Sequence, residues 1–314
     1  MALNRFGGSQ GTKKPMPLLV KLIILIAILA IAGIGLYYLV KNLWSELPAG
    51  PTQVDLKALW SDGSYDEILA ITNFDLQSDP MNPVNLVFSG FSTFHLGLAQ
   101  VSVEDKLKFM DDSVRLLRKA LLIPNTPLKP QIHYILAKAY LYKGKYYSDL
   151  SISHMNKSLE MGYTSDDSYE YLGLAYSQLG KYTKSNEFFL KALEINQSDL
   201  LLWTLGQTNF QMQNYPETIK FLTQVIAKTQ DRSLELKSRF LLGEVYTRNQ
   251  DYNSAENEYN AILEKNASSA DANYYLGEIY LAQGNKEKAR AYWRRAFNID
   301  PLHYNANQRL FRKQ

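Results

Sequence analysis

The stretch "ADANYYLGEIYLAQGNKEKARAYWRRAFNIDP", Ala270 to Pro301, decides the fold. Within it Leu276, Gly277 and Tyr280 are followed by Ala289, Trp293, Ala296 and Pro301. Gly243 lies 34 residues upstream of Gly277 and again has a Leu before it and a Tyr three places after it, in "LLGEVY". A surface that recurs at a fixed interval of tens of residues marks stacked units, each burying its apolar side against the next.

The chain as a whole suits such an array. Its 314 residues can hold two ordinary domains or one elongated stack, and a hydrophobic content of 46% excludes wholesale disorder. The 11 Pro and 17 Gly fall mostly between apolar-periodic segments, which is how helices are punctuated, so a mainly helical protein is expected. The absence of cysteine removes disulfides, Cys-ligated zinc and thiol catalysis. The formal charge of +3 is unevenly spread. Arg5, Lys13, Lys14, Lys21 and Lys41 against Glu46 give 5 − 1 = +4 before residue 48, leaving 3 − 4 = −1 for the rest. Binding to nucleic acid needs a basic face that releases counterions from phosphates, and the bulk of the chain has no such excess.

Counted so that a Leu-Gly pair falls at positions 7 and 8, the unit from Ala270 places Tyr280, Gly284, Ala289, Trp293, Ala296 and Pro301 at 11, 15, 20, 24, 27 and 32. The pattern resembles the tetratricopeptide repeat, with Asn273 at position 4 in place of a bulky residue. Leu236 to Ser269 repeats it with Leu242, Gly243, Tyr246, Tyr252, Ala255 and Tyr259. Asp166 to Ser198 does so with Leu172, Gly173, Tyr176, Gly180, Phe189 and Ala192. Pro130 to Thr164 keeps Leu136, Ala137, Tyr140, Gly144 and Tyr146 and then carries about two extra residues before "KSLEMG". Asp199 to Glu235 is a weaker match. Nearer the N-terminus, Gly63, Tyr65 and Pro80 suit a second repeat helix. Between "GFSTFHLG" and "FMDDSVRLLRKALLIP" an insertion of about ten residues is expected. The resemblance implies an all-α, right-handed superhelical solenoid of about seven helical hairpins that works as a protein-interaction scaffold.

The expected organisation is a flexible cytoplasmic tail at 1–17, a transmembrane helix at 18–44, degenerate repeats at 45–129, well-matched repeats at 130–303 and a capping helix at 304–314. The membrane segment rests on "LIILIAILAIAGIGLYYLV", Leu22 to Val40, 19 residues without a charge. Lys21 stands at its near end and Tyr37, Tyr38 and Trp44 at its far end, where such side chains favour the headgroup level. Three cations precede Lys21, so the positive-inside rule keeps the N-terminus cytoplasmic and the repeats outside, in a periplasm if the membrane is a bacterial inner one. A cleaved signal peptide fits less well, because the run is long and "KNLWSELPAGP" offers no small-x-small cleavage site.

In the repeat family, first-helix positions 2, 5, 9, 12 and 13 tend to face a concave groove. Carried over, they give Tyr134, Lys138 and Tyr142, then Trp203, Gln207 and Phe210, then Phe240, Glu244 and Arg248, and lastly Tyr274 and Glu278. This lining is aromatic and carries charges of both signs, as protein interfaces favour. The Lys, Asn and Arg clamp that some relatives close on a peptide C-terminus is absent, since Tyr134, Lys138 and Tyr171 fill that register. His95, His133, His154 and His303 have no metal-binding spacing, and there is no phosphate loop or dinucleotide fingerprint. Asp111-Asp112 and Asp166-Asp167 are expected at helix starts as dipole partners rather than as acid-base pairs. No catalytic residue, cofactor, metal or small-molecule substrate is expected. The partners are proteins, subunits or peptide segments of an envelope assembly serving division, secretion or a periplasmic flagellar collar. The alternative is a cytosol-facing anchored receptor, resembling a mitochondrial outer-membrane import receptor, with reversed topology.

Overall fold

The computed structural model describes residues 55–311, and each described element is a helix. The expected tail at 1–17 and membrane helix at 18–44 lie outside the described residues, as do the last three residues of the expected cap. Among the described residues no helix is long and apolar enough to cross a membrane. The repeats lie within the compact unit Leu59–Gln314.

A six-residue helix, α1 (Leu56–Ser61), and α2 (Tyr65–Ser78) precede six helical hairpins. These are α3 (Pro83–Leu98) with α4 (Val103–Leu121), α5 (Lys129–Tyr142) with α6 (Ser148–Glu160), and α7 (Ser168–Gln178) with α8 (Tyr182–Ile195). There follow α9 (Asp199–Gln211) with α10 (Tyr215–Lys228), α11 (Arg232–Arg248) with α12 (Tyr252–Lys265), and α13 (Ala270–Ala282) with α14 (Lys286–Ile299). A last helix, α15 (Tyr304–Phe311), packs on α14, with Phe311 against Phe297 at 5.3 Å between ring centres. Each helix from α2 onward contacts its sequence neighbours, which is the solenoid plan.

Local chemistry sets the boundaries. Ser102, Ser198, Asp231 and Ser269 each accept a hydrogen bond from a backbone N–H in the first turn that follows, which satisfies a donor the helix itself leaves unpaired. First helices end in a left-handed residue at repeat position 15. Gly180 and Gly284 adopt it with φ of 72° and 82°, while Gln213 and Gln250 adopt it with φ of 58° and 60° despite their Cβ.

The hairpins close by setting a side chain of the second helix onto a glycine of the first. A Cβ added at Gly173 would stand 2.5 Å from the Phe189 ring, at Gly206 2.7 Å from Leu222, at Gly243 2.6 Å from the Tyr259 ring, and at Gly277 2.4 Å from Trp293 Nε1. Position 8 is therefore small because position 24 is large. A second tie appears in the earlier hairpins, where Ser113, Ser151 and Ser185 donate to the carbonyls of Gly90, Ala137 and Gly173, each at 2.8 Å. The last two hairpins place Ala255 and Ala289 there and lack this tie, although Arg239 of α11 pairs with Glu258 of α12 at 2.9 Å.

Three expectations of local structure are corrected, and one weak match is explained. No insertion separates α3 from α4: the residues assigned to it are a four-residue link and the opening turns of α4. The extra residues in the Pro130 unit form a 3-10 turn, Lys145–Tyr147, so Tyr147 and not Tyr146 packs inward. Tyr147 stacks on Tyr140 at 6.0 Å, while Tyr146 is 98% exposed. The Asp199 unit matches weakly because α11 starts a turn early, at Arg232, capped by Asp231. Asp111 and Asp112 lie in the middle of α4 rather than at its start, where Asp111 pairs with Lys143 and Asp112 with Arg115.

Candidate functional site

The residues expected to line one groove fall into three environments. The first is closed. Lys138 and Tyr134, one turn apart on α5, are both buried. Lys138 Nζ lies 2.7 Å from Asp167 Oδ2 and donates to Tyr134 Oη at 2.9 Å, and Tyr134 Oη donates to Asp167 Oδ1 at 2.7 Å. The same ammonium sits over the rings of Tyr171 at 4.4 Å, Tyr134 at 4.8 Å and Phe94 at 5.9 Å. Tyr142, the most exposed of the three expected residues here, has its hydroxyl 3.2 Å from that of Tyr171.

Charge balance in this cluster follows from its burial. Burial works to raise the Asp167 pKa, but hydrogen bonds from Lys138 and Tyr134 and the Lys138 charge outweigh it and hold the carboxyl below its ordinary range. Burial raises the Tyr134 pKa, so the phenol stays protonated and donates. Asp167 was expected to serve the start of α7. It occupies the N-cap place but makes no side-chain cap bond there, and spends its carboxylate on Lys138 and Tyr134. Tyr134 and Lys138 thus fasten α5 to the start of α7, and neither offers an open surface.

The second environment is open. Trp203 and Gln207 of α9, Lys237, Phe240, Leu241 and Glu244 of α11, and Asp271 and Tyr275 of α13 surround a hollow of about 370 Å³. Phe240 and Tyr275 meet edge to face at 6.4 Å, and Tyr275 keeps 37% of its surface exposed. The Trp203 indole N–H is buried and has no acceptor among the described residues. Beside the hollow, Arg248 covers the Phe210 ring at 4.8 Å and pairs with Glu244 at 2.6 Å.

Sequence reasoning missed Lys237, Leu241, Asp271 and Tyr275. Lys237 and Asp271 stand at position 2 of their units, a groove position, so the rule that selected Phe240 and Glu244 could have found them. Position 2 also explains why one region is closed and the other open. Asp167 at position 2 meets Lys138 at position 9 of the unit before. In the hollow, Lys237 follows Gln207 and Asp271 follows Glu244, pairings of a cation with an amide and of two carboxylates.

The third environment belongs to α15. Glu278 pairs through both carboxylate oxygens with Arg309, at 2.9 and 2.5 Å. Tyr274 packs 5.2 Å from the His303 ring. Tyr274 borders a different cavity, shared with α14 and α15. Among the described residues no group of three or more His, Asp or Glu is placed to hold a metal ion.

Stacked helical hairpins that set a large side chain of the second helix onto a small residue of the first define a helical-repeat solenoid. Within it, residues 167–199 and 240–301 match family models described as tetratricopeptide repeat. The C-terminal part of a TPR repeat-containing protein from Cytophaga hutchinsonii superposes with a TM-score of 0.62 over 81% of this chain and 98% of its own, at 16% identity. That likeness establishes the fold alone. MamA residues 41 to the end from Desulfovibrio magneticus RS-1 gives 0.49 over 56% and 97%, at 13% identity. YrrB, described as a TPR protein with an unusual peptide-binding site, gives 0.47 over 56% and 88%, at 22% identity. Neither of the last two bears on what this chain binds. No curated protein matches the chain.

Proposed function

We propose that this protein is a membrane-anchored scaffold that holds a segment of a partner protein in the hollow at Trp203, Phe240 and Tyr275, and that it acts by binding. The observation that carries this reading is the hollow itself, where rings on three successive first helices border a space that no internal ion pair spans. Rigid amphipathic rings lose little entropy on contact and make frequent interface anchors. Lys237 on one side and Glu244 with Asp271 on the other suit an extended segment that carries both an acidic and a basic side chain.

The anchor rests on the uncharged run Leu22 to Val40 and on the cations before it, which favour a scaffold outside the cytoplasm that assembles an envelope complex. Replacing Trp203→Ala together with Phe240→Ala in the full chain tests the groove. Proximity labelling in the native host should lose the wild-type neighbours, since each true anchor is worth ~2 kcal/mol, roughly thirtyfold in affinity. Unchanged neighbours with unchanged helicity would place the binding surface elsewhere. A reporter fused after Gln314 tests orientation, and activity in the cytoplasm would overturn the extracytoplasmic arrangement and favour the receptor alternative.

A further inference from the structure

The two ends of the helical stack carry opposite charge. Between Ala58 and Val103 the chain has five carboxylates, Asp62, Asp66, Glu67, Asp75 and Asp79, and no Lys or Arg. Among the described residues none of them forms an ion pair, and Asp62, Asp66 and Glu67 are exposed. From Lys286 to Phe311 the balance reverses: six cations, Lys286, Lys288, Arg290, Arg294, Arg295 and Arg309, stand against Glu287 and Asp300. Lys286, Arg290 and Arg294 follow one another at a spacing of four on α14, which aligns them along one side of the helix. None of the three has an ion-pair partner among the described residues.

Both ends also leave apolar rings in solvent. Phe74, on the same outward side of α2 as Asp66 and Glu67, is 73% exposed, and Phe311 of α15 is 64% exposed. Lys286, Arg290, Arg309, Leu310 and Phe311 border a cavity of about 880 Å³ between α14, α15 and the end of α13. The ends are complementary in a structural sense as well. In the repeat plan α15 occupies the place of a first helix, and no second helix follows it among the described residues. By the same plan α2 is a second helix, and among the described residues only the six-residue α1 precedes it.

We infer that copies of this chain associate head to tail, with the acidic outer face of α2 of one copy seated on the basic cavity between α14 and α15 of the next. The contact is heterologous, so it propagates along a row of copies rather than closing in a two-fold dimer. Opposite charges steer the ends together, and Phe74 and Phe311 supply the apolar contact that charges alone lack. None of these residues borders the hollow at Trp203, so the groove and the ends can fail independently.

Sedimentation velocity on the full chain in detergent micelles tests the inference. At about 0.01 M salt the mass should grow with protein concentration, and at about 1 M it should fall to the protomer, because the screening length shrinks from about 30 Å to about 3 Å. Lys286→Glu with Arg290→Glu and Arg294→Glu should weaken association at least about tenfold, as should Asp62→Lys with Asp66→Lys and Glu67→Lys. Mixing the two triple variants should restore it, since each supplies the end that the other lacks. All six side chains are exposed, so circular dichroism should show unchanged helicity. A protomer mass at every concentration in low salt would overturn the inference, and so would association indifferent to salt. Association unchanged in both variants would overturn it too, assigning any growth to contacts outside these ends. If the α14 variant instead lost binding to phosphatidylserine vesicles while self-association persisted, the basic end would be a lipid-facing surface and the head-to-tail contact would be refuted.

Discussion

The start of α7 and the start of α11 hold corresponding places two repeats apart, yet one is sealed and the other open. At the first, Lys138 reaches Asp167 at 2.7 Å beneath the rings of Tyr134 and Tyr171. At the second, Trp203 and Gln207 face Lys237 and Phe240 across unfilled space. The backbone plan is the same, and what differs is whether position 9 of one unit and position 2 of the next carry opposite charges. A concave surface in a repeat array is therefore open only where the repeats do not satisfy one another first.

The comparison assumes that both regions stand on the same hairpin packing, and the largest expected effect tests that assumption. Gly173→Trp and Gly277→Trp should each cost about 3 kcal/mol or more, read as a fall in the urea midpoint, because even a Cβ collides with Phe189 or Trp293. An unchanged midpoint in either variant would mean that the shared register is misassigned.

Breaking the seal comes next. Asp167→Ala strands the Lys138 ammonium, whose side chain is only 11% exposed, and should cost about 2–3 kcal/mol. This figure sits below the range for fully buried pairs because Asp167 itself remains 34% exposed. Pairing Asp167→Ala with Lys138→Met should recover much of the loss, since an apolar side chain suits the ring-lined pocket. If the single variant were as stable as wild type, the cluster would be a surface feature rather than a fastening.

The converse experiment imposes a seal on the open region. Glu244→Lys would set a cation at position 9 against Asp271 at position 2, as in the closed region. Partner affinity should drop about tenfold, or ~1.4 kcal/mol, with the melting temperature held or slightly raised. Retained affinity would show that the occupant does not use this part of the hollow.

The smallest effect concerns acid and the histidine pair beside the closed region. The Nδ1 atoms of His133 and His154 lie 2.8 Å apart between α5 and α6, so one imidazole donates to the other and both cannot be protonated there. Burial first, then the charges of His133, Lys157 and Arg118, depress the His154 pKa from 6.5 to about 4. Between those values the unfolded chain binds a proton that the folded chain refuses, so stability falls as pH drops through this window. Asp167, also depressed, continues the fall below the ordinary carboxylate value of 3.8. His154→Gln should flatten the urea midpoint between about pH 6.5 and pH 4. A slope unchanged by that substitution would assign the acid sensitivity to other groups.

Much of the hairpin plan was legible in the residues. Gly277 with Trp293 and Gly243 with Tyr259 recur at equal spacing because a small residue and a large apolar side chain must meet within each hairpin, and that constraint acts within a single unit. The expected insertion before α4 was misread because its first helical turns are polar, and a helix start that faces solvent leaves little apolar period to detect. Tyr146 fits the repeat pattern but lies exposed for a related reason: a 3-10 turn shifts the side-chain directions, and two adjacent tyrosines carry no mark of which one packs on Tyr140.

By itself, then, the sequence determined the helical class, the repeat length, the hairpin contacts and the chemical character of the groove positions. Those features come from interactions between residues at most a hairpin apart, where periodicity and the sizes of facing side chains suffice. Only the tertiary structure decided which groove residues remain available. Whether Lys138 or Glu244 faces solvent depends on the residue that the next repeat brings opposite it, Asp167 in one case and Asp271 in the other. That meeting is fixed by how two hairpins stack, at a distance and angle that no single helix period encodes.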